Sequence, residues 1–206
     1  MYSKSLAKLK DKHIILASGS PRRRELLSSL GIQFTVKTSD FPENLPKDKF
    51  SPAEYVEQTC LNKFNHFIEQ NKTDKYDILI TADSIVEFDN KILEKPKTKE
   101  ECKEWFQRYS NNKVLAHTYV VIGLIDSEFK CVKMEKFLST TYVVFDELSE
   151  EIINDYINTT EPYDKAGGFG IQGLAKVMIK GIEGDYYNVM GFPVNAFMKH
   201  LIELLK

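Results

Sequence analysis

The segment Leu16–Leu27, LASGSPRRRELL, combines residue types that suit the binding of an anion. A Ser-Gly-Ser loop, which begins at Ser18, leaves a predicted strand and opens a predicted helix through a Ser-Pro pair. Backbone N–H groups converge at such a helix N-terminus, and the helix dipole favours negative charge there. Arg22 and Arg23 stand in the first turn, where cations disfavour an isolated helix and a polyanionic ligand would remove the conflict.

Three consecutive arginines cannot all serve the same ligand, because neighbouring side chains on a helix lie about 100° apart. We therefore expect at least one of Arg22, Arg23 and Arg24 to point away from the site. The alternative for the whole segment is a basic turn in contact with solvent. The segment is not a Walker A loop, because the GxxxxGK[ST] pattern is absent.

Two further segments carry charges that could complete a phosphate site. Asp83, in ITADSIV, is expected at the carboxyl end of a buried strand, where α/β folds bind their ligands. An acid there could hold a divalent cation, activate a water molecule or simply cap a turn. Lys95, in LEKP, precedes a proline-enforced extended stretch and could reach a phosphate or be an ordinary surface lysine.

Glycine is concentrated near the C-terminal end of the chain, in the segment EPYDKAGGFGIQG that starts at Glu161. In a chain with only 10 glycines this density indicates either a long structural turn or a loop that approaches a ligand closely. Gln172 lies inside the segment and could contact a ligand or pin the loop itself. Asp185 and Asn188, in GDYYNVMGFP, are expected to be turn and cap residues for the last helix.

Strand-like and helix-like stretches alternate along the chain, which favours an α/β fold with a mixed sheet. Strands are predicted over residues 13–17, 32–36, 76–82, 114–125 and 136–145, and a short hairpin is predicted around Asp89-Asn90, between IVEF and KIL. Helices are predicted from Pro21 to a cap at Gly31, from capping boxes at Ser51 and Thr98 to about Gln70 and Tyr109, over 149–158, and from near Pro193.

Composition narrows the class of protein. The chain has 206 residues, 42% of them hydrophobic, and a net charge of −2, which suits one globular domain over 1–206 or two lobes around one cleft. This charge argues against a non-specific nucleic-acid binder, so an anionic substrate needs local positive charge. Cys60, Cys102 and Cys131 are far apart and predict reduced thiols in an intracellular protein. The first apolar run is too short for a signal peptide or a membrane span, so we expect a cytoplasmic protein.

Taken in order, these segments resemble the Maf family of nucleotide pyrophosphatases. The family pattern runs LASxSPRRxELL, ADTxV, LxKP, EPxDKAGxxGIQG and GDYxNVxGLP; this chain has LASGSPRRRELL, ADSIV, LEKP, EPYDKAGGFGIQG and GDYYNVMGFP. The match extends from Leu16 to Pro193. The resemblance implies an elongated mixed sheet with flanking helices, of the inosine-triphosphate-pyrophosphatase type, with two lobes around a cleft. It also implies a divalent metal cation, Mg or Mn, and a homodimer.

The resemblance assigns roles to individual positions of this sequence. It implies catalytic roles for Asp83, Lys63 and Lys95, metal binding by Asp83 and Glu43, and substrate binding by Ser18, Arg22, Arg23, Ser84 and Gln172. Arg24 matches a variable position. Ser84 departs from the family pattern, which has Thr there. The stretch after Asn111 is also looser than the family's, so His117 is left without a role.

The implied reaction is attack of water on the α-phosphorus of a nucleoside triphosphate, which yields the monophosphate and pyrophosphate. Arg22, Ser84 and Gln172 resemble the subgroup that acts on dTTP, UTP and related pyrimidines, and a Gln amide matches the donor and acceptor on the edge of uracil or thymine. One alternative is a pyrophosphatase for 7-methyl-GTP or another modified purine. Others are a non-catalytic nucleotide-binding regulatory module and a phosphoesterase acting on nucleic-acid ends.

Overall fold

The computed structural model of the chain describes residues 6–206 and contains one seven-stranded mixed sheet. The strand order is β2-β1-β3-β5-β6-β7, and β4 also pairs with β3. β1 pairs in parallel with β2 and β3, and every other pairing is antiparallel. The strands are β1 (Ile14–Leu16), β2 (Thr35–Val36), β3 (Ile78–Phe88), β4 (Lys91–Leu93), β5 (Lys113–Ile125), β6 (Cys131–Phe145) and β7 (Ile179–Glu183).

Within residues 6–206 six α-helices flank the sheet, and the three that follow Ser20, Ser51 and Thr98 begin at the predicted capping signals. They are α1 (Pro21–Ser29), α2 (Pro52–Gln70), α3 (Lys99–Tyr109), α4 (Glu150–Ile157), α5 (Tyr186–Val189) and α6 (Val194–Leu204). Ser51 and Glu54 form the reciprocal capping box that opens α2. The predicted box at Thr98 is only half formed, because the Glu101 carboxylate accepts from the backbone N–H of Lys97 instead.

The prediction that the strand before Asp83 ends at residue 82 is wrong. β3 continues to Phe88 because its pairing with β5 runs unbroken from Ile78↔Leu124 to Glu87↔Leu115, and Asp83 itself pairs with Tyr119. The turn at Asp89-Asn90 is confirmed, with φ values of 49° and 58°. The second predicted strand is correct in place but is reduced to Thr35–Val36.

Alternation along β3 divides its side chains between two apolar layers. Ile78, Ile80 and Ala82 pack on one face of the sheet in a cluster that includes residues of α1 and α6. Leu79 and Ile85 pack on the opposite face in a cluster with residues of α2. Asp83 therefore lies on the α2 face and Ser84 on the α1 face, although the two are neighbours in the chain.

A second lobe surrounds the end of the sheet where β3 and β6 finish and β5 begins. There Val86, Val114 and Phe145 pack with side chains of α3 and α4 in a separate apolar cluster. On the α1 face of the sheet, the helices are thus divided between two apolar clusters, one with α1 and α6 and the other with α3 and α4. The predicted mixed sheet with two lobes around a cleft is confirmed. Within residues 6–206, no helix has both the length and the apolar character needed to cross a membrane.

The packing of α2 on β5 gives a first testable prediction. Gly123 lies in β5 where an added Cβ would overlap the ring of Phe64, which is fully buried, whereas an added Cβ at Gly181 in β7 would meet nothing within 4 Å. We expect Gly123→Ala to lower the free energy of unfolding by about 1–3 kcal/mol because the core is overpacked. Gly181→Ala should change it by less than about 0.5 kcal/mol. Urea denaturation of both variants measures the difference, and equal stabilities would contradict this description of the core.

Candidate active site

The main cleft opens where one edge of β3 lacks a neighbouring strand. On that edge β1 pairs with Ile78–Ile80 and β4 pairs with Val86–Phe88, so the described residues place no strand beside positions 81–85. The Ala82 carbonyl at this gap accepts a hydrogen bond from Arg23 instead. The cleft has a volume of about 770 Å³ and is lined by residues of both lobes. All nine positions assigned by the resemblance line it: Ser18, Arg22, Arg23, Glu43, Lys63, Asp83, Ser84, Lys95 and Gln172.

An ammonium group held by two carboxylates lies on the α2 side of the cleft. Lys63 Nζ, from the middle of α2, donates to Asp83 Oδ1 at 2.6 Å and lies 2.7 Å from Glu43 Oε1. The side chains of Lys63 and Asp83 are only 11% and 8% exposed. Glu43 reaches them from the loop between β2 and α2, so residues from three separate segments meet here.

Burial and charge act in opposite directions on these groups. Burial alone would lower the pKa of Lys63, but Asp83 and Glu43 outweigh it and raise that pKa, so the ammonium stays charged. For Asp83, burial is the largest influence and raises its pKa, while the charges of Lys63 and Arg23 oppose the rise. An acid placed this way is suited to accepting a proton or binding a cation at neutral pH.

Arg23 joins the elements around the gap. Its guanidinium donates to the carbonyl oxygens of Ala82 and Gly191 at 2.7 and 2.9 Å, and to the hydroxyls of Ser18 and Ser84 at 3.1 and 2.9 Å. These bonds use four of its five N–H donors. Arg23 therefore lines the cleft, as expected, but most of its hydrogen-bonding capacity fixes the shape of the site.

Arg22, the preceding residue in the same helical turn, also lines the cleft. Its Nη1 lies 3.7 Å from a carboxylate oxygen of Asp164, which also bonds to Lys165. Burial raises the pKa of Asp164, but Lys165, Arg22 and Lys95 together lower it below its usual range. Arg24 is exposed and does not line the cleft. Of the three arginines, Arg22 and Arg23 therefore line the cleft and Arg24 does not.

The glycine-rich segment forms the wall of the cleft in the second lobe. Gly167 has φ +66°, and a Cβ there would lie 2.7 Å from the Val86 side chain, so the backbone approaches β3 closely. The Glu161 carboxylate fixes the loop by accepting from the backbone N–H groups of Leu174 and Ala175. Gln172 is exposed to the cleft and has no side-chain hydrogen bond within residues 6–206, so it does not pin the loop.

At the level of sequence, Asp185 and Asn188 were misread and Tyr55 was missed. Asp185 caps the short helix α5 rather than the last helix. Asn188 is not a cap; its buried amide donates to Ala116 O and Thr141 Oγ1 at 2.9 and 3.0 Å. Its place in the GDYYNV motif was the available signal. Nothing local in the sequence indicates that Tyr55 would line the cleft.

His117 lies in β5 and lines the cleft, but its ring is already engaged. Its Nε2 is 2.7 Å from Glu87 Oε2 and its Nδ1 is 2.9 Å from Thr140 Oγ1. Ser84 and Thr118 share the other face of the sheet, where Ser84 Oγ lies 2.8 Å from Thr118 Oγ1. The structure therefore gives Ser84 a hydroxyl network within the cleft and gives His117 a partner on each ring nitrogen.

Two of the carboxylates that line the cleft, those of Asp83 and Glu43, lie close enough together to hold one cation between them. Residues 6–206 contain no cluster of three or more His, Cys, Asp or Glu side chains that could form a cage of protein ligands. Mg²⁺, however, is commonly held by one or two carboxylates together with substrate phosphates. Asp83 and Glu43 already bind one cationic group between them, so they fit a cation that is shared with a phosphate substrate.

Comparison with known proteins agrees with this arrangement. A family model described as "Maf-like protein" matches residues 13–204. The chain belongs to the Maf family. It is 38% identical to a Bacillus cereus dTTP/UTP pyrophosphatase and 40% identical to one from Bacillus cytotoxicus, in each case covering 92% of this chain and 94% of the relative. It is also 38% identical to a human "probable bifunctional dTTP/UTP pyrophosphatase/methyltransferase protein", over 97% of this chain but only 33% of that protein's length.

The three arginines of this Maf chain give a second prediction. Arg22→Ala should lower kcat/KM for a triphosphate by the equivalent of about 1.5–3 kcal/mol, since one charged hydrogen-bonding group is lost. Arg23→Ala should also lower the free energy of unfolding by about 1–3 kcal/mol, because its four acceptors lose a shared donor. Arg24→Ala is the matched control and should change neither quantity. Steady-state kinetics and urea denaturation test this, and a large kinetic loss for Arg24→Ala would contradict the assignment.

Proposed function

We propose that this chain hydrolyses dTTP, UTP and related or modified pyrimidine nucleoside triphosphates to the monophosphate and pyrophosphate. The observation that carries the proposal is the buried Asp83 beside Lys63, at the base of a cleft lined with further cations. The names of the relatives, dTTP/UTP pyrophosphatase, support the same reaction.

The cleft distributes positive charge as a triphosphate requires. Phosphoryl-type transfers need charge neutralisation and alignment more than covalent help from the protein. Arg22 and Lys95 would contact the phosphate chain from one side and Lys63 from the other, while the first-turn N–H groups of α1 next to Ser18 would bind phosphate oxygens. Arg23 would hold α1, β3 and the loop at Gly191 in position around the substrate.

Asp83 would orient the attacking water or accept its proton at the carboxylate. A divalent cation, Mg or Mn, bound by Asp83 and Glu43 would neutralise phosphate charge and lower the pKa of a bound water. The low exposure of Asp83 keeps bulk water from competing for these interactions.

Selectivity for the base would come from the α1 face of the sheet and the glycine-rich wall. The amide of Gln172, which has no intramolecular partner among residues 6–206, can donate and accept along the edge of uracil or thymine. A polar group left unpaired by the wrong base costs binding energy, so discrimination can be strong. Ser84 keeps the hydroxyl that the family's Thr provides and leaves room where the methyl would lie.

The other candidate functions have less support. A non-catalytic regulatory module could keep the arginine turn, but it would not need a buried acid paired with Lys63. None of the relatives described above is named for 7-methyl-GTP or another modified purine.

Asp83→Asn tests the catalytic role directly. The amide keeps the shape and loses the charge, so we expect kcat below about a tenth of the wild-type value and nucleotide affinity within about tenfold. Pyrophosphate release and nucleotide binding are measured separately. Retention of more than about a tenth of kcat would exclude Asp83 as base or metal ligand.

A panel of nucleotides tests selectivity. With Mg or Mn present, kcat/KM for UTP and dTTP should exceed that for ATP and GTP by at least about tenfold, and 5-methyl-UTP should be accepted. A preference for 7-methyl-GTP or ITP over UTP would overturn the base assignment alone. No turnover of any nucleotide would instead favour the regulatory module.

The cellular context and assembly also belong to this proposal. We infer a cytoplasmic homodimer that takes a small nucleotide as substrate and binds neither nucleic acid nor membrane. The net charge of −2 argues against nucleic-acid binding, and the family resemblance supports the homodimer. Light scattering on the purified full chain would measure the mass directly, and a monomer at micromolar concentration would contradict the dimer.

A further inference from the structure

The ammonium of Lys63 takes the position that a cation bound by Asp83 and Glu43 would need. Nζ lies 2.6 Å from Asp83 Oδ1 and 2.7 Å from Glu43 Oε1, so each carboxylate already has an oxygen committed to the same positive charge. Mg²⁺ binds carboxylate oxygens at about 2.0–2.1 Å. The cation and the ammonium therefore cannot share these two oxygens without close repulsion between like charges.

Lys63 can leave this position without disturbing the core. Its helix is anchored by Cys60 and Phe64, both fully buried, so the backbone of α2 is fixed. The four-carbon stem of a lysine is flexible, and its ammonium can move while Cα stays in place. What it needs is another anion within reach, and within the cleft a triphosphate would supply one.

The other cations of the cleft do not have this double role. Arg22 lies beside Asp164, and Lys165 also bonds to Asp164, in the second lobe. Arg23 is committed to four acceptors around the gap in the sheet. Lys63 is thus the cation of the site that contacts both proposed metal-binding acids.

We propose that Lys63 competes with the divalent cation for Asp83 and Glu43, so that metal binds tightly only when a phosphate chain draws the ammonium away. This inference rests on the metal site of the proposed function. It predicts that the nucleotide-free protein binds free metal weakly and that removing the lysine charge strengthens that binding. Lys63 then couples the arrival of metal to the arrival of substrate.

The experiment is a titration of the nucleotide-free full chain with Mn²⁺, with the free ion measured by its paramagnetic resonance signal. Lys63→Met should lower the Kd for Mn²⁺ by at least about tenfold relative to wild type, because a unit positive charge next to both carboxylates is removed. Lys47→Met is the matched control: Lys47 pairs with Glu94 and not with Asp83 or Glu43, so its Kd should match wild type. An unchanged or higher Kd for Lys63→Met would overturn the proposal.

Two further measurements keep the test decisive. Adding Glu43→Gln to Lys63→Met should remove the gain in Mn²⁺ affinity, and retention of the whole gain would place the metal elsewhere and overturn the proposal. If Lys63→Met does not fold, acylation of wild-type lysines, read by mass spectrometry, replaces it. Saturating Mn²⁺ should raise the reactivity of Lys63 severalfold relative to Lys47, and an unchanged ratio would show no competition.

Turnover of UTP by the wild-type protein is measured separately. If UTP is not hydrolysed but Lys63→Met binds Mn²⁺ more tightly, the competition stands and the proposed reaction fails. If UTP is hydrolysed and the Mn²⁺ affinity does not change, the reaction stands and the competition fails. The two hypotheses are therefore distinguishable.

Discussion

The unbroken antiparallel pairing of β3 with β5 is the constraint on which the site depends. It keeps residues 78–87 of β3 fully extended, so successive side chains point to opposite faces of the sheet. Asp83 therefore meets α2 and the Lys63 ammonium, while Ser84 meets Arg23 and Thr118. A slip of one residue in register would exchange these faces and separate the acid from its lysine. The same strand thus fixes both the proposed catalytic group and the proposed base-selecting group.

The other edge of β3 supplies the space for a ligand. β1 stops at Leu16 and β4 begins its pairing with β3 at Val86, which leaves a gap in the sheet that a side chain, Arg23, only partly fills. Arg23 satisfies the exposed carbonyl of Ala82 and ties α1 to the loop at Gly191. An unsatisfied backbone carbonyl in this position would be costly, so the arginine stabilises the gap that makes the cleft possible.

Charge is concentrated locally although the chain is nearly neutral. The net charge is −2, yet the cleft gathers the cations of α1, α2 and the LEKP segment against Asp83, Glu43 and Asp164. Removing such charges from water is costly unless each finds a partner. Lys63 pairs with Asp83 and Asp164 pairs with Lys165, so these charges have partners within the protein itself. Substrate binding on this account exchanges internal ion pairs for contacts to phosphate, so phosphate binding and metal loading depend on the same groups.

The sequence by itself determined the family, the mixed α/β class, most helix starts and nine positions that line the cleft. Those features depend on local signals, such as the capping box at Ser51 and the Ser-Pro pair before Arg22, and on long motifs whose order is preserved. It did not determine that one strand continues through Asp83, since that continuity depends on pairing with a strand about thirty residues away, as strands generally do. Only the tertiary structure decided that Arg23 mainly links α1, β3 and the loop at Gly191 by hydrogen bonds and that Asn188 is a buried hydrogen-bond donor. It alone decided that Lys63 lies between two carboxylates, because these contacts join segments whose separation along the chain carries no local signal.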